Sequence, residues 1–132
     1  MAELPDTVRE AIEGKNFWHL ATLNPDGSPQ TTPVWVGIRD GRILVNTYLG
    51  RTKQRNLDRN PRVALSVHGV ENPYTNMAVQ GHVVDRIVGP EAEADIDALS
   101  EKYTGQTPYP WRQPGQERVT YLIEPTRVYE RA

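Results

Sequence analysis

The chain has 132 residues, the size of one ordinary domain, with no cysteine and a formal net charge of −2. The lack of cysteine excludes a disulfide framework and thiolate chemistry, and the slightly acidic balance argues against a general nucleic-acid binder. No apolar run is long enough to span a membrane, and the stretch Met1–Asn16 lacks the charged-then-apolar layout of a secretion signal, so a cytoplasmic protein is expected.

Pro5 and Asp6 open a short helix that ends near Gly14, with Leu4, Val8, Ala11 and Ile12 at helical spacing. Asn16–Leu23 reads as a strand, Asn24–Gly27 as a turn, and Ser28–Ile38 as a second strand of a hairpin. Arg39–Gly41 turns into a third strand, Arg42–Tyr48. Gly50–Val63 reads as a short basic helix closed by Pro61. Arg62–Gly69 is a fourth strand, Glu71–Tyr74 a loop and Asn76–Val88 a long fifth strand. Gly89–Gly105 has Pro90 at its start, acids in its first turns and a glycine at its end, which marks a helix. A Pro/aromatic loop, Gln106–Gln116, leads to a last strand, Glu117–Arg131, with a break expected at Pro125. Hairpin-length connections argue for a single domain over residues 1–132, dominated by β structure with a few helices, in an antiparallel barrel. Hydrophobic residues make up 37% of the chain, on the low side, so a partner subunit would help complete its core.

The two clearest helices differ in charge. The one after Gly89 places Glu91, Glu93 and Asp95 near its positive end, whereas the one after Gly50 places Arg51, Lys53 and Arg55 there. Cations at a helix start are unfavourable by ~0.3–1 kcal/mol each, which points to a missing counter-ion. Orphan backbone N–H groups together with guanidinium and ammonium groups would cradle a small anion. The alternative is a solvated charged face in which Arg55 pairs with Asp58; it accounts for Arg55 and Arg59 but not for Arg51 and Lys53. No Gly-rich stretch ends in Gly-Lys-Ser/Thr, so the cluster is not a Walker-type loop.

The second strand is unusual as well. Pro29 and Pro33 share parity, so both missing donors fall on one edge. That edge either borders a ligand cleft, with Gln30, Thr31, Thr32 and the flat ring of Trp35 beside it, or is an edge strand protected from aggregation. His19, His68 and His82 lie on three different strands, and their spacing gives no metal motif. The PYPWRQPG stretch, Pro108–Gly115, either folds over a pocket or packs as a plain connection.

Taken in this order, FWHLATLNPDGSPQTTPVWV, ILVNTYLGRTKQRNLDRNPRVALSV, ENPY and VQGHV resemble the pyridoxamine-phosphate-oxidase-like split-barrel superfamily, most of all its coenzyme F420-dependent branch. The match runs from about Phe17 to Val84, and GRTKQRNLDRNPRV is its most specific piece. The resemblance implies a six-stranded antiparallel split β-barrel and a homodimer with cofactor sites at the interface. It implies that Arg51, Thr52, Lys53 and Asn56 hold the phosphate and anionic tail of F420, or of FMN as the alternative. Gln30, Thr31, Thr32, Pro33, Val34 and Trp35 would line the ring system, with Asn46 and Thr47 nearby. Met77 and Gln80, and the proton-donor candidates Tyr74 and His82, would come from the pocket rim or the partner. The longer basic signature and the pyridoxal-phosphate residues of the vitamin B6 oxidases are not found. The implied activity is hydride transfer between reduced deazaflavin and a small conjugated or hydrophobic substrate. An FMN-dependent reductase and a non-catalytic flavin carrier are the alternatives.

Overall fold

Three helices and seven strands make up the computed structural model, which describes residues 2–131. In chain order they are α1 (Asp6–Glu13), β1 (Trp18–Leu23), β2 (Pro29–Val34), β3 (Gly37–Arg39), β4 (Arg42–Tyr48), α2 (Thr52–Arg59), β5 (Arg62–His68), β6 (Asn76–Val88), α3 (Pro90–Thr104) and β7 (Arg118–Arg131). The mainly β class and the antiparallel pairing agree with the sequence reading.

The strand count is seven rather than six because Ser28–Ile38 is not one strand. It divides into β2 and β3 around Trp35 and Val36. The sheet order is β2-β1-β5-β6-β7-β4-β3, so these two pieces lie at opposite edges. Three Cα–Cα steps of ~3.8 Å separate Val34 from Gly37, so the edges approach within ~11 Å. The sheet therefore curls into a barrel that stays open at this seam.

Side chains of α3 satisfy the seam's backbone. The Val36 N–H donates to the Tyr103 hydroxyl at 3.1 Å, and that hydroxyl donates to the Asn16 carbonyl at 2.7 Å. Lys102 Nζ donates to the Val36 and Ile12 carbonyls, both at 2.6 Å, which ties α3 to the seam and to α1. Without these donors the seam carbonyls would be desolvated and unpaired.

Alternation along the strands fills two layers. Ile43 and Val45 of β4 join Trp18, Leu20, Leu65 and Tyr121 in the barrel interior, with Val8 and Ile12 of α1 packed in the same cluster. Leu44, on the opposite face of β4, packs with Leu122 beneath Leu99 and Tyr103 of α3. The helix ends follow their sequence signals: Pro90 opens α3, and Gly105 closes it at φ 78°.

β7 runs through Pro125 without the expected break. Gly81 lies opposite Pro125 and Gln80 opposite Arg127, so Thr126 is bulged out of register and the proline needs no ladder donor. A Cβ on Gly81 would lie 2.4 Å from the Glu124 carbonyl oxygen, so only glycine fits the crossing. No helix among the described residues is long and apolar enough to cross a membrane.

Candidate functional site

Helix α2 is held from behind. Leu57 is buried in the barrel core. The Asn56 amide donates to Thr22 Oγ1 at 3.0 Å and to Asn24 Oδ1 at 2.9 Å, and its oxygen accepts from Arg59 at 2.7 Å. Asp58 accepts from Tyr121, Arg86 and Gln54. Burial alone would raise the Asp58 carboxyl, but those three donors outweigh it and hold the pKa below its ordinary value. The same burial, with the bond to Asp58, pushes the Tyr121 phenol up.

With that face fixed, the first turn of α2 is presented to a cleft of about 270 Å³. Arg51 is the N-cap residue; no side chain caps the helix and no acid stands in its first turn. The first helical bond runs from the Arg55 N–H to the Arg51 carbonyl, so the N–H groups of Thr52, Lys53 and Gln54 precede it as orphan donors. The Gln54 side chain turns back to accept from the Gly50 N–H at 2.8 Å.

Three cations meet at the cleft. Lys53 is only 8% exposed, and among the described residues no hydrogen bond or ion pair reaches its ammonium. Burial, and secondarily the nearby Arg51, pushes its pKa down to about 8. Arg118, 4% exposed, lies over the rings of Tyr48 and Tyr109 at 5.3 and 4.8 Å, and its Nε has no partner. Arg51 lies over the same Tyr48 ring at 5.1 Å. Ring faces soften the cost of these charges without neutralising them. Two acids of α3 are engaged elsewhere: Glu93 with Arg112 and the Arg118 N–H, and Asp95 with Arg39 and Thr120. The cleft thus combines uncompensated positive charge with a helix N-terminus, an environment suited to a small, strongly anionic group.

Apolar side chains complete much of the lining: Pro33 and Val34 of β2, Trp35 beyond it, and Phe17, Ile96 and Leu99. Trp35 stacks on Tyr103 at 5.4 Å with a 9° tilt, and Tyr109 meets Trp35 edge-on at 6.2 Å. The loop carrying Tyr109 is fixed to α3. Arg112 pairs with Glu93 and Asp97, and the Tyr109 N–H donates to Asp97.

Of the residues singled out in the sequence, the cleft collects Pro33, Val34, Trp35, Asn46, Arg51 and Lys53. Others lie elsewhere in the single chain. Thr52 follows Arg51 in the first turn of α2, its hydroxyl in a long contact with Arg55 at 3.5 Å. Gln30, Thr31 and Thr32 lie farther along edge strand β2, with Gln30 accepting from Thr22. Thr47 is buried, one residue out of phase with Asn46. Asn56 is the inward tie just described. Gln80 and His82 line a separate, more apolar cavity of about 710 Å³ on β1, β5 and β6, and Met77 lines a third. Tyr74 is 72% exposed on its loop. The 710 Å³ cavity is larger, but the cationic chemistry lies in the smaller cleft.

Arg55 does not pair with Asp58. Its guanidinium folds back on the Gly50 carbonyl at 2.7 Å, while Arg59 donates to the Leu23 carbonyl. Tyr109, in the Pro108–Gly115 stretch, lines the cleft, as do Arg118, Ile96 and Leu99, which the sequence reading does not place at the site. The only sequence signal for Arg118 is a cation just ahead of the mainly apolar run Val119–Ile123, and that does not say which face it takes.

A family model, pyridoxamine 5'-phosphate oxidase, matches residues 4–132. A solved F420 reductase is 31% identical with a TM-score of 0.83, over 97% of this chain and 100% of that one. A conserved hypothetical protein from Mycobacterium tuberculosis is 24% identical, with a TM-score of 0.75 over 97% of this chain and 84% of that one. The heme storage protein HutZ from Vibrio cholerae is 14% identical, with a TM-score of 0.72 over 98% of this chain and 95% of that one. These last two likenesses extend to the fold alone. No curated protein sequence matches the chain.

Proposed function

Because the chain belongs to the pyridoxamine 5'-phosphate oxidase family, we propose that it is an oxidoreductase that uses coenzyme F420 in the cationic cleft. The observation that carries the reading is the unpaired, buried Lys53 beside Arg51 and Arg118 at an uncapped helix start. The solved F420 reductase, similar over nearly the whole chain, supports a deazaflavin there. In this reading Lys53, Arg51 and the first-turn N–H groups of α2 hold the cofactor phosphate. The surface of Pro33, Val34 and Trp35 takes the ring system, and Phe17, Tyr109 and Leu99 limit water. Fewer waters around the cleft strengthen each charge-assisted contact.

When bound, a reduced deazaflavin supplies a hydride to an electron-poor double bond; the chain itself binds, orients and shields. No nucleophile is needed, in keeping with the absence of cysteine. Lys53 remains charged below pH 8 and meets the phosphate as an ammonium. Above pH 8 binding must also draw a proton onto Lys53, so affinity falls.

The proposal includes a homodimer. A cleft of about 270 Å³ falls short of the roughly 300–1,000 Å³ usual for a ligand site, so a second chain would complete its walls. Gln80, His82 and Met77 would then be candidates for the partner's contribution.

One observation favours a second reading, FMN. Arg55 and Arg59 donate to carbonyls of their own chain, which leaves fewer cations for the long anionic tail of F420. Titration with F420 and with FMN, followed by stopped-flow mixing of the reduced cofactor with quinones and enones, tests both. Micromolar binding and hydride transfer to at least one acceptor are expected. Tight binding with no transfer would favour a carrier, and failure to bind either cofactor would refute the proposal.

A further inference from the structure

Trp35 lines the cleft, yet no strand carries it. Trp35 and Val36 stand between β2 and β3, the strands at the two edges of the sheet, and belong to neither. Their side chains part. Val36 is fully buried in the barrel core, whereas Trp35 packs outside it, against the cluster of Leu44, Leu99, Tyr103 and Leu122. With no ladder of its own, the indole takes its place from whatever touches it and from the backbone beside it.

Both of its ring contacts trace to α3. Tyr103 stacks on the indole, 5.4 Å between centroids and 9° from parallel. Tyr109 meets it edge-on at 6.2 Å, and the Tyr109 N–H donates to Asp97 of α3 at 2.8 Å. The adjoining backbone is held from the same helix. The Tyr103 hydroxyl accepts from the Val36 N–H and donates to the Asn16 carbonyl, while Lys102 Nζ donates to the Val36 carbonyl. Two consecutive residues of α3 therefore satisfy both polar groups of Val36. The Lys102 ammonium also lies 4.8 Å from the centre of the Tyr103 ring, a contact that restrains that ring in turn.

We propose that Tyr103, braced by Lys102, is a positioning residue for the cleft: its ring sets the plane of Trp35, and its hydroxyl fixes the backbone that carries Trp35. Closure of the barrel seam and the shape of the cleft wall are then one adjustment, made by α3. An indole held flat in advance need not be ordered when a ligand ring meets it, which favours binding. That functional side rests on the cofactor reading, in which Trp35 takes the ring system; the positioning of Trp35 does not.

The test labels the full chain with 5-fluorotryptophan, so that Trp18, Trp35 and Trp111 each give a fluorine resonance, assigned with Trp35→Phe and Trp111→Phe. In ligand-free wild type the Trp35 line should relax like that of Trp18, which is fully buried in the barrel core. In Tyr103→Phe, which keeps the ring and loses the hydroxyl, the Trp35 line should move or broaden while the Trp18 line stays. Gly81→Ala controls for lost stability alone, because its Cβ meets Ile123 and Glu124, and it should leave Trp35 unmoved. Tyr103→Phe should also weaken binding of the preferred cofactor, F420 or FMN, by about two- to tenfold and leave the affinity for inorganic phosphate unchanged. A Trp35 indole that moves independently in wild type would overturn the inference without any variant. So would an unmoved Trp35 line in Tyr103→Phe, or equal changes at Trp18 and Trp35, which mark a general loosening; each leaves the cofactor reading standing. If neither cofactor binds wild type, the cofactor reading falls, and the fluorine spectra still decide whether Tyr103 positions Trp35.

Discussion

Replacing Lys53 with methionine keeps the stem's volume and removes a buried charge. The Lys53 pKa falls from 10.5 to about 8 on folding, with burial the larger cause and Arg51 the smaller. At about 1.4 kcal/mol per pH unit, holding the ammonium in the folded chain at pH 7 costs at most about 3 kcal/mol. Repulsion from the helix N-terminus, ~0.3–1 kcal/mol, has the same sign. Lys53→Met should therefore stabilise the ligand-free protein by about 1–3 kcal/mol at pH 7, read by urea denaturation. The pH dependence follows from the sign. Between pH 8 and 10.5 the unfolded chain holds more protons than the folded one, so wild-type stability rises with pH across that window. The variant lacks this rise, and the gap between the two proteins should close by about pH 10. Binding should move the other way. Losing a charge-assisted contact of ~1.5–3 kcal/mol weakens cofactor affinity by ~10–150-fold at pH 7. A less stable Lys53→Met protein at pH 7 would refute the reasoning, because it would make Lys53 a structural residue.

Lys102→Met is the contrasting case. Burial also pushes the Lys102 pKa down to about 8, but its ammonium serves the Val36 and Ile12 carbonyls, so its loss should destabilise the protein by about 2–4 kcal/mol in the same assay. Asn56→Ala breaks the bonds from α2 to Thr22 and Asn24 and should lower stability by about 2–4 kcal/mol; an unchanged urea midpoint would show that α2 is held without them. Gly81→Ala drives a Cβ against the Glu124 carbonyl and should cost about 2 kcal/mol or more, seen as a drop in Tm.

Where signals were local, the sequence was readable. Gly89, Pro90 and Gly105 delimit α3 with no reference to the rest of the chain. The mis-signed charge after Gly50 identified the start of α2 as a candidate site, and Arg51 and Lys53 line the cleft. The division of β2 from β3 was not readable, because Trp35 and Val36 carry no turn residue. They leave the ladder only because the curled sheet ends there and Tyr103 and Lys102 take over the Val36 hydrogen bonds. Arg118 reaches the cleft through the β4–β7 register, a pairing of residues about seventy apart. Arg51, Arg55 and Arg59 are spaced four apart, yet the Gly50 and Leu23 carbonyls claim the last two. Asp58 finds Arg86 and Tyr121 on β6 and β7 instead of Arg55.

The central claim is that the unpaired cations at the start of α2 form a phosphate site. Co-crystallisation with F420 and with FMN tests it most directly. The account predicts a cofactor phosphate within hydrogen-bond reach of Lys53 Nζ and the first-turn N–H groups of α2. A cofactor seated in the 710 Å³ cavity beside His82, with Lys53 still alone, would contradict it.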